Sequence, residues 1–120
     1  GETLDQYKAG EGVAVVEAQV DGSVPASASA DRLLVAYEPV WAIGSGLTPS
    51  IAEIEEVHRA IRETLVAMFG DHGATQPILY GGSVKPANAA EILAAAEVGG
   101  ALVGGASLKA ADFLGIVGAV

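Results

Sequence analysis

Apolar and polar residues along these 120 positions switch between helical and strand-like spacing, and the switches mark the elements. Leu4, Tyr7, Val13, Val16 and Val20 form an imperfect helical stripe. They predict a helix over Gly1–Val20, with Thr3 as its cap and Gly10 and Gly12 weakening it. Asp21–Asp31, small and polar with one proline, reads as an exposed connector between elements. Leu33–Tyr37 opens as an unbroken apolar run, the mark of a strand covered on both faces of a parallel sheet, and Pro39 should end it. A second stripe of Ile51, Ile54, Val57, Ile61, Leu65 and Met68 predicts a helix from a Thr48 cap to about Phe69, stopped by Gly70. Pro77–Tyr80 and Ala101–Val103 read as short strands ended by glycines. A short helix is expected from about Ala87, with Asn88 near its start and Ala90, Leu93 and Ala94 free to pack. A last helix, capped by Ser107, should bury Leu108, Phe113, Leu114 and Val117. One helix followed by three strand-turn-helix units places residues 1–120 in the α/β class as a single domain with parallel strands.

Composition changes this picture in one respect. Hydrophobic residues make up 51% of the chain and there are 16 glycines besides, which exceeds the ~45–50% apolar usage of ordinary domains. Some apolar faces are therefore expected to meet a partner segment. Three strands cannot close a barrel and leave two open edges, which points the same way. The opening GETLDQYK reads as a piece that begins inside a longer protein. Net charge is −9 with only six Lys and Arg, and no basic stripe follows a nucleic-acid backbone, so nucleic acid is not an expected partner. The longest membrane candidate, Val98–Leu108, falls short of the ~20 residues a span requires. There is no cysteine, hence no disulfide, thiolate metal site or cysteine nucleophile.

The residues with chemistry to offer all follow strands, at the end where parallel α/β sheets keep their sites. Glu38 stands at the carboxyl end of the first strand, with a stiff apolar piece, Val40–Ile43, and a flexible Gly44-Ser45-Gly46 behind it, the composition of a lid. Taken alone, a glutamate before proline is more often a solvated turn residue. Gly81-Gly82-Ser83 and Gly104-Gly105-Ala106-Ser107 each join a strand to a helix, where bare backbone N–H groups can face an anion. Taken alone, such glycines more often serve tight packing. Neither a dinucleotide turn nor a P-loop fits, because Pro49 and Gly105 stand where those motifs need glycine and lysine. Lys85 reads as solvated, and His58, beside the helical stripe, as structural.

Three stretches in order, AYEPVWAIGSG around Glu38, LYGGSVKP (Leu79–Pro86) and ALVGGASLKAADF (Ala101–Phe113), closely resemble the triosephosphate isomerase family. The resemblance covers essentially the whole chain but only the carboxyl-terminal half of the enzyme. It implies the carboxyl-terminal part of a (β/α)8 TIM barrel, with Glu38 as the base that moves a proton between adjacent carbons of a triose phosphate. It also implies phosphate contacts from Gly44, Ser83, Gly104 and Gly105, Trp41 riding on the lid and Tyr80 steadying the closed lid. No cofactor or metal is implied, and the partners are the triose phosphate, the amino-terminal half of the barrel and a second subunit of a cytoplasmic homodimer. The chain departs from the family pattern in Ser45-Gly46-Leu47 at the lid's end and in Gly99, where an aspartate usually pairs the arginine matched by Arg62. Arg62 is then left to Glu97 or to water. The family's lysine and electrophilic histidine belong to the amino-terminal half, and neither His58 nor His72 matches that histidine, so the chain alone is expected to be inactive. Two other readings fit the glycine turns: another phosphate-binding barrel isomerase, and a noncatalytic phosphate-binding half-barrel.

Overall fold

The computed structural model describes residues 1–120. The expected first helix is in fact two, α1 (Leu4–Lys8) and α2 (Gly12–Ser23). Thr3 caps α1 in a capping box with Gln6, but Gly10 takes a left-handed φ of 74° and turns the chain. The second helix then continues through Asp21 to Ser23, into the stretch read as connector.

Strand β1 (Val35–Tyr37) stops before Pro39, as its missing N–H requires. It pairs in parallel with β2 (Ile78–Tyr80), which pairs in parallel with β3 (Gly100–Ala101), in the order β1-β2-β3. The run at β1 is not covered on both faces: Tyr37 is buried while Leu34 is 62% exposed. Alternate residues of a strand point to opposite faces, and helices cover only one face of this sheet.

Helix α3 (Ile51–Phe69) is the backbone of the core. Ile54, Val57, Ile61 and Leu65 from its stripe are buried against Val16 and Val20 of α2 and Tyr37, Ile78 and Tyr80 of the sheet. Its cap is Ser50, not Thr48, because Glu53 stands three residues after Ser50 and closes a capping box with it. The helix ends at Gly70 as expected, and a short α4 (Asp71–Thr75) that the pattern did not announce follows at once.

The last two helices depart most from expectation. In α5 (Ala89–Leu93) Asn88 takes the cap position, but Ala89 and Ile92 are the buried residues, and Ala90 and Ala94 stay exposed. In α6 (Ala110–Val117) only Ile116 is buried, and the cap position falls on Lys109. Leu108, Phe113, Leu114 and Val117 are all exposed, because nothing in the chain packs against that side of the helix. No helix is long and apolar enough to cross a membrane.

Candidate functional site

The carboxyl ends of the three strands open into one cleft of 740 Å³. Glu38 enters it from the end of β1, Gly44 from the lid, Ser83 from the turn after β2, and Gly104 and Gly105 from the turn after β3. The structure therefore brings all five candidate residues to a common lining, joined by Lys85, Lys109 and Asp112.

Local bonds fix each contributor. The Gly81 N–H donates to the Tyr37 carbonyl at 2.7 Å and the Leu102 N–H to the Tyr80 carbonyl at 2.9 Å, so the sheet pairing runs on into the turns. Asn88 ties the second turn, accepting from the Lys85 N–H at 2.7 Å and donating to the Ser83 carbonyl at 3.1 Å. In the third turn the Ser107 hydroxyl donates to the Gly104 carbonyl at 2.7 Å, within a single turn of tight helix over Gly105–Ser107. Ser107 thus braces the turn instead of capping α6.

Glu38 itself is exposed. Its backbone is held from behind by Gly1, where a Cβ would sit 1.6 Å from the Glu38 carbonyl oxygen. No side chain fits there without a shift of the backbone. Beyond Glu38 the lid begins with a tight helical turn, Val40–Ala42. It ends in Gly44 and Gly46, at φ 67° and 75°, a backbone that other residues rarely adopt. Ile43 to Thr48 are all exposed.

Sequence reasoning passed over the residue that anchors the lid. Glu2 is 2% exposed, and its carboxylate accepts from Trp41 Nε1 at 2.7 Å and from the Tyr37 hydroxyl at 2.9 Å. Burial first, then the Glu2 carboxylate, pushes the Tyr37 phenol well above its ordinary value, so the hydroxyl stays a donor. A buried tyrosine and tryptophan each need a partner, and that was the available signal, but nothing local marks Glu2 as the acceptor. Tyr80 is buried beside Tyr37, with ring centroids 6.5 Å apart.

Beneath the cleft, His58 is wholly buried, with Nδ1 3.1 Å from the Glu97 carbonyl, as a structural histidine should be. That contact assigns the proton to Nδ1 and leaves Nε2 buried without a partner. Burial lowers its pKa below the usual histidine value. Arg62 does turn to Glu97, Nε to Oε2 at 2.8 Å, and also donates to the carbonyls of Gly73 and Gln76 at 2.6 Å. Glu97 serves both neighbours from a left-handed φ of 64°.

Comparison with known proteins gives this arrangement its context. The triosephosphate isomerase family model matches residues 1–120. The chain is 60% identical over 116 residues to the triosephosphate isomerase of Hyphomonas neptunium, covering 97% of this chain and 47% of that protein. With the triosephosphate isomerase of Caulobacter vibrioides the identity is 59% over 120 residues, covering 100% and 47%. The crystal structure of triosephosphate isomerase from Bartonella henselae matches with a TM-score of 0.90 at 47% identity, over 99% of this chain and 48% of that one. The chain spans about half the length of the curated relatives it matches, and its parallel sheet and helices correspond to part of their TIM barrel. Similar from end to end in both sequence and backbone, the chain belongs to the triosephosphate isomerase family.

Proposed function

We propose that this chain is the base-and-phosphate half of a triosephosphate isomerase site. Glu38 removes a proton from the carbon beside the carbonyl of dihydroxyacetone phosphate and returns it to the neighbouring carbon, passing through an enediol or enediolate to glyceraldehyde 3-phosphate. The amides at Gly44, Ser83, Gly104 and Gly105 grip the phosphate, since bare N–H groups at a strand-to-helix turn favour an anion. Closing the lid removes water, which strengthens those contacts.

The observation that carries the reading is the gathering of Glu38 and the two glycine turns, from three separate strands, around one cleft. The open face of the sheet, with Leu34 and Leu102 exposed, fits an amino-terminal half that completes the barrel and supplies the lysine and the carbonyl-polarising histidine. In that assembly the protein is a cytoplasmic homodimer.

The test joins these 120 residues to the amino-terminal half of the Hyphomonas neptunium relative and assays triose-phosphate turnover with a coupled enzyme. Turnover is expected in the completed barrel and not in the chain alone. Glu38→Gln in the completed barrel should lower kcat by about 10²–10⁴-fold while phosphoglycolate, a mimic of the enediolate, still binds. A completed, folded barrel that binds phosphate without turnover overturns the enzyme reading in favour of a noncatalytic module.

A further inference from the structure

The lid, Pro39–Pro49, has two roots, and one side chain from outside it touches the first directly and is linked to the second through Glu53. Tyr7 on α1 stacks on Trp41 at the first root, with ring centroids 4.0 Å apart and planes 15° from parallel. Its hydroxyl donates to Glu53 Oε1 at 2.5 Å. Glu53 in turn accepts from the Ser50 N–H at 2.7 Å, in the capping box that starts α3 directly after the second root.

Trp41 is buried, but the residue that stacks on it is not. Helix α1 contains no buried residue, and Tyr7 is half-exposed. The tie is also durable in the neutral range: the Tyr7 hydroxyl, with the Ser50 amide behind it, lowers the pKa of Glu53, and the Glu53 carboxylate raises that of Tyr7. Glu53 therefore accepts and Tyr7 donates throughout that range.

We propose that Tyr7 is a positioning residue that holds the lid open. This rests on reading Pro39–Pro49 as a lid over the cleft. Trp41 sits on the stiff turn at the lid's root, so a swing of the tip over Glu38 carries the indole off the Tyr7 ring. The stack opposes closure, and the bond to Glu53 keeps the Tyr7 ring fixed against the start of α3 while the lid moves. Glu2 holds the same indole through its N–H, but Tyr7 acts on the ring face and through a different element. The closed state must therefore form at the expense of an aromatic pair.

The test uses Tyr7→Ala, which removes both contacts, and Tyr7→Phe, which keeps the stack and removes the bond. Trp41 is the sole tryptophan of the chain, so its fluorescence reports the lid root directly. In the 120-residue chain, Tyr7→Ala should make Trp41 markedly easier to quench with acrylamide, and Tyr7→Phe should do so less. In the completed barrel, with any tryptophan of the amino-terminal half replaced by phenylalanine, Tyr7→Ala should bind phosphoglycolate about 2- to 12-fold more tightly, the equilibrium weight of one aromatic pair. KM should fall with it, and kcat should change less. Unchanged quenching, or phosphoglycolate binding that is unchanged or weaker in folded Tyr7→Ala, overturns the proposal. Absence of turnover in the unmutated barrel instead overturns the proposed function, and the comparison of phosphoglycolate binding between Tyr7→Ala and the unmutated barrel still decides the role of Tyr7.

Discussion

The two faces of the sheet show how differently one chain can treat its own strands. On the helix side, Val35 pairs with Ile78 and Tyr37 with Tyr80 in register, and Tyr37, Ile78 and Tyr80 are buried with Ile54, Ile61 and Leu65 of α3. On the other side Leu34 is 62% and Leu102 58% exposed. The helix side holds the fold. The carboxyl rim lines the cleft proposed as the site, and its residues are bound mainly by backbone hydrogen bonds of turns. Stability and site are therefore separable here, and mutations should sort by which region they touch.

The largest effect on stability belongs to the helix side. Leu65→Ala removes a side chain with 0% exposure and should destabilise the chain by about 2–5 kcal/mol, read from urea unfolding followed by Trp41 fluorescence. Glu2→Ala is of comparable size. It leaves the Tyr37 hydroxyl and Trp41 Nε1 without their acceptor, at about 1–3 kcal/mol for each orphaned donor. Glu2→Gln, which keeps an acceptor oxygen, should lose much less.

A smaller, pH-dependent effect comes from His58. Its folded pKa lies below the usual 6.5, so at pH values just under 6.5 the unfolded chain takes up a proton that the folded chain refuses. Stability then falls as pH drops through that window. His58→Asn, which can still donate to the Glu97 carbonyl, should flatten the slope of unfolding free energy just below about pH 6.5. The smallest effect is expected at Leu34→Ser on the open face, within about 0.5 kcal/mol in the chain alone. In a completed barrel the same change should cost several times more. Equal costs in the two settings would mean that the amino-terminal half does not cover this face.

Much of this was readable beforehand where local pattern and tertiary need coincide. The stripe of α3 was clear because six apolar positions recur along 19 residues and a sheet lies ready to receive them. The candidate site was readable because its residues sit in three contiguous motifs, and the cleft gathers all five. The stripe of α6 misled for the opposite reason: an apolar pattern states that a face can be buried, not that a partner is present. The break at Gly10 and the extra turn of α4 depend on single backbone torsions that periodicity does not register. Ser50 could have been chosen over Thr48 from Glu53 three residues on. Glu2 and Tyr7 were out of reach, because their roles exist only once α1, the lid and α3 come together.

The central claim is that a carboxylate and a set of bare amides face one phosphate-bearing substrate. It is tested most directly by following backbone amide resonances of the completed barrel while phosphoglycolate is added. The amides of Gly44, Ser83, Gly104 and Gly105 should shift together with a single dissociation constant, and the shifts should persist in Glu38→Gln. Shifts that cluster away from these four residues, or their absence at saturation, would contradict it.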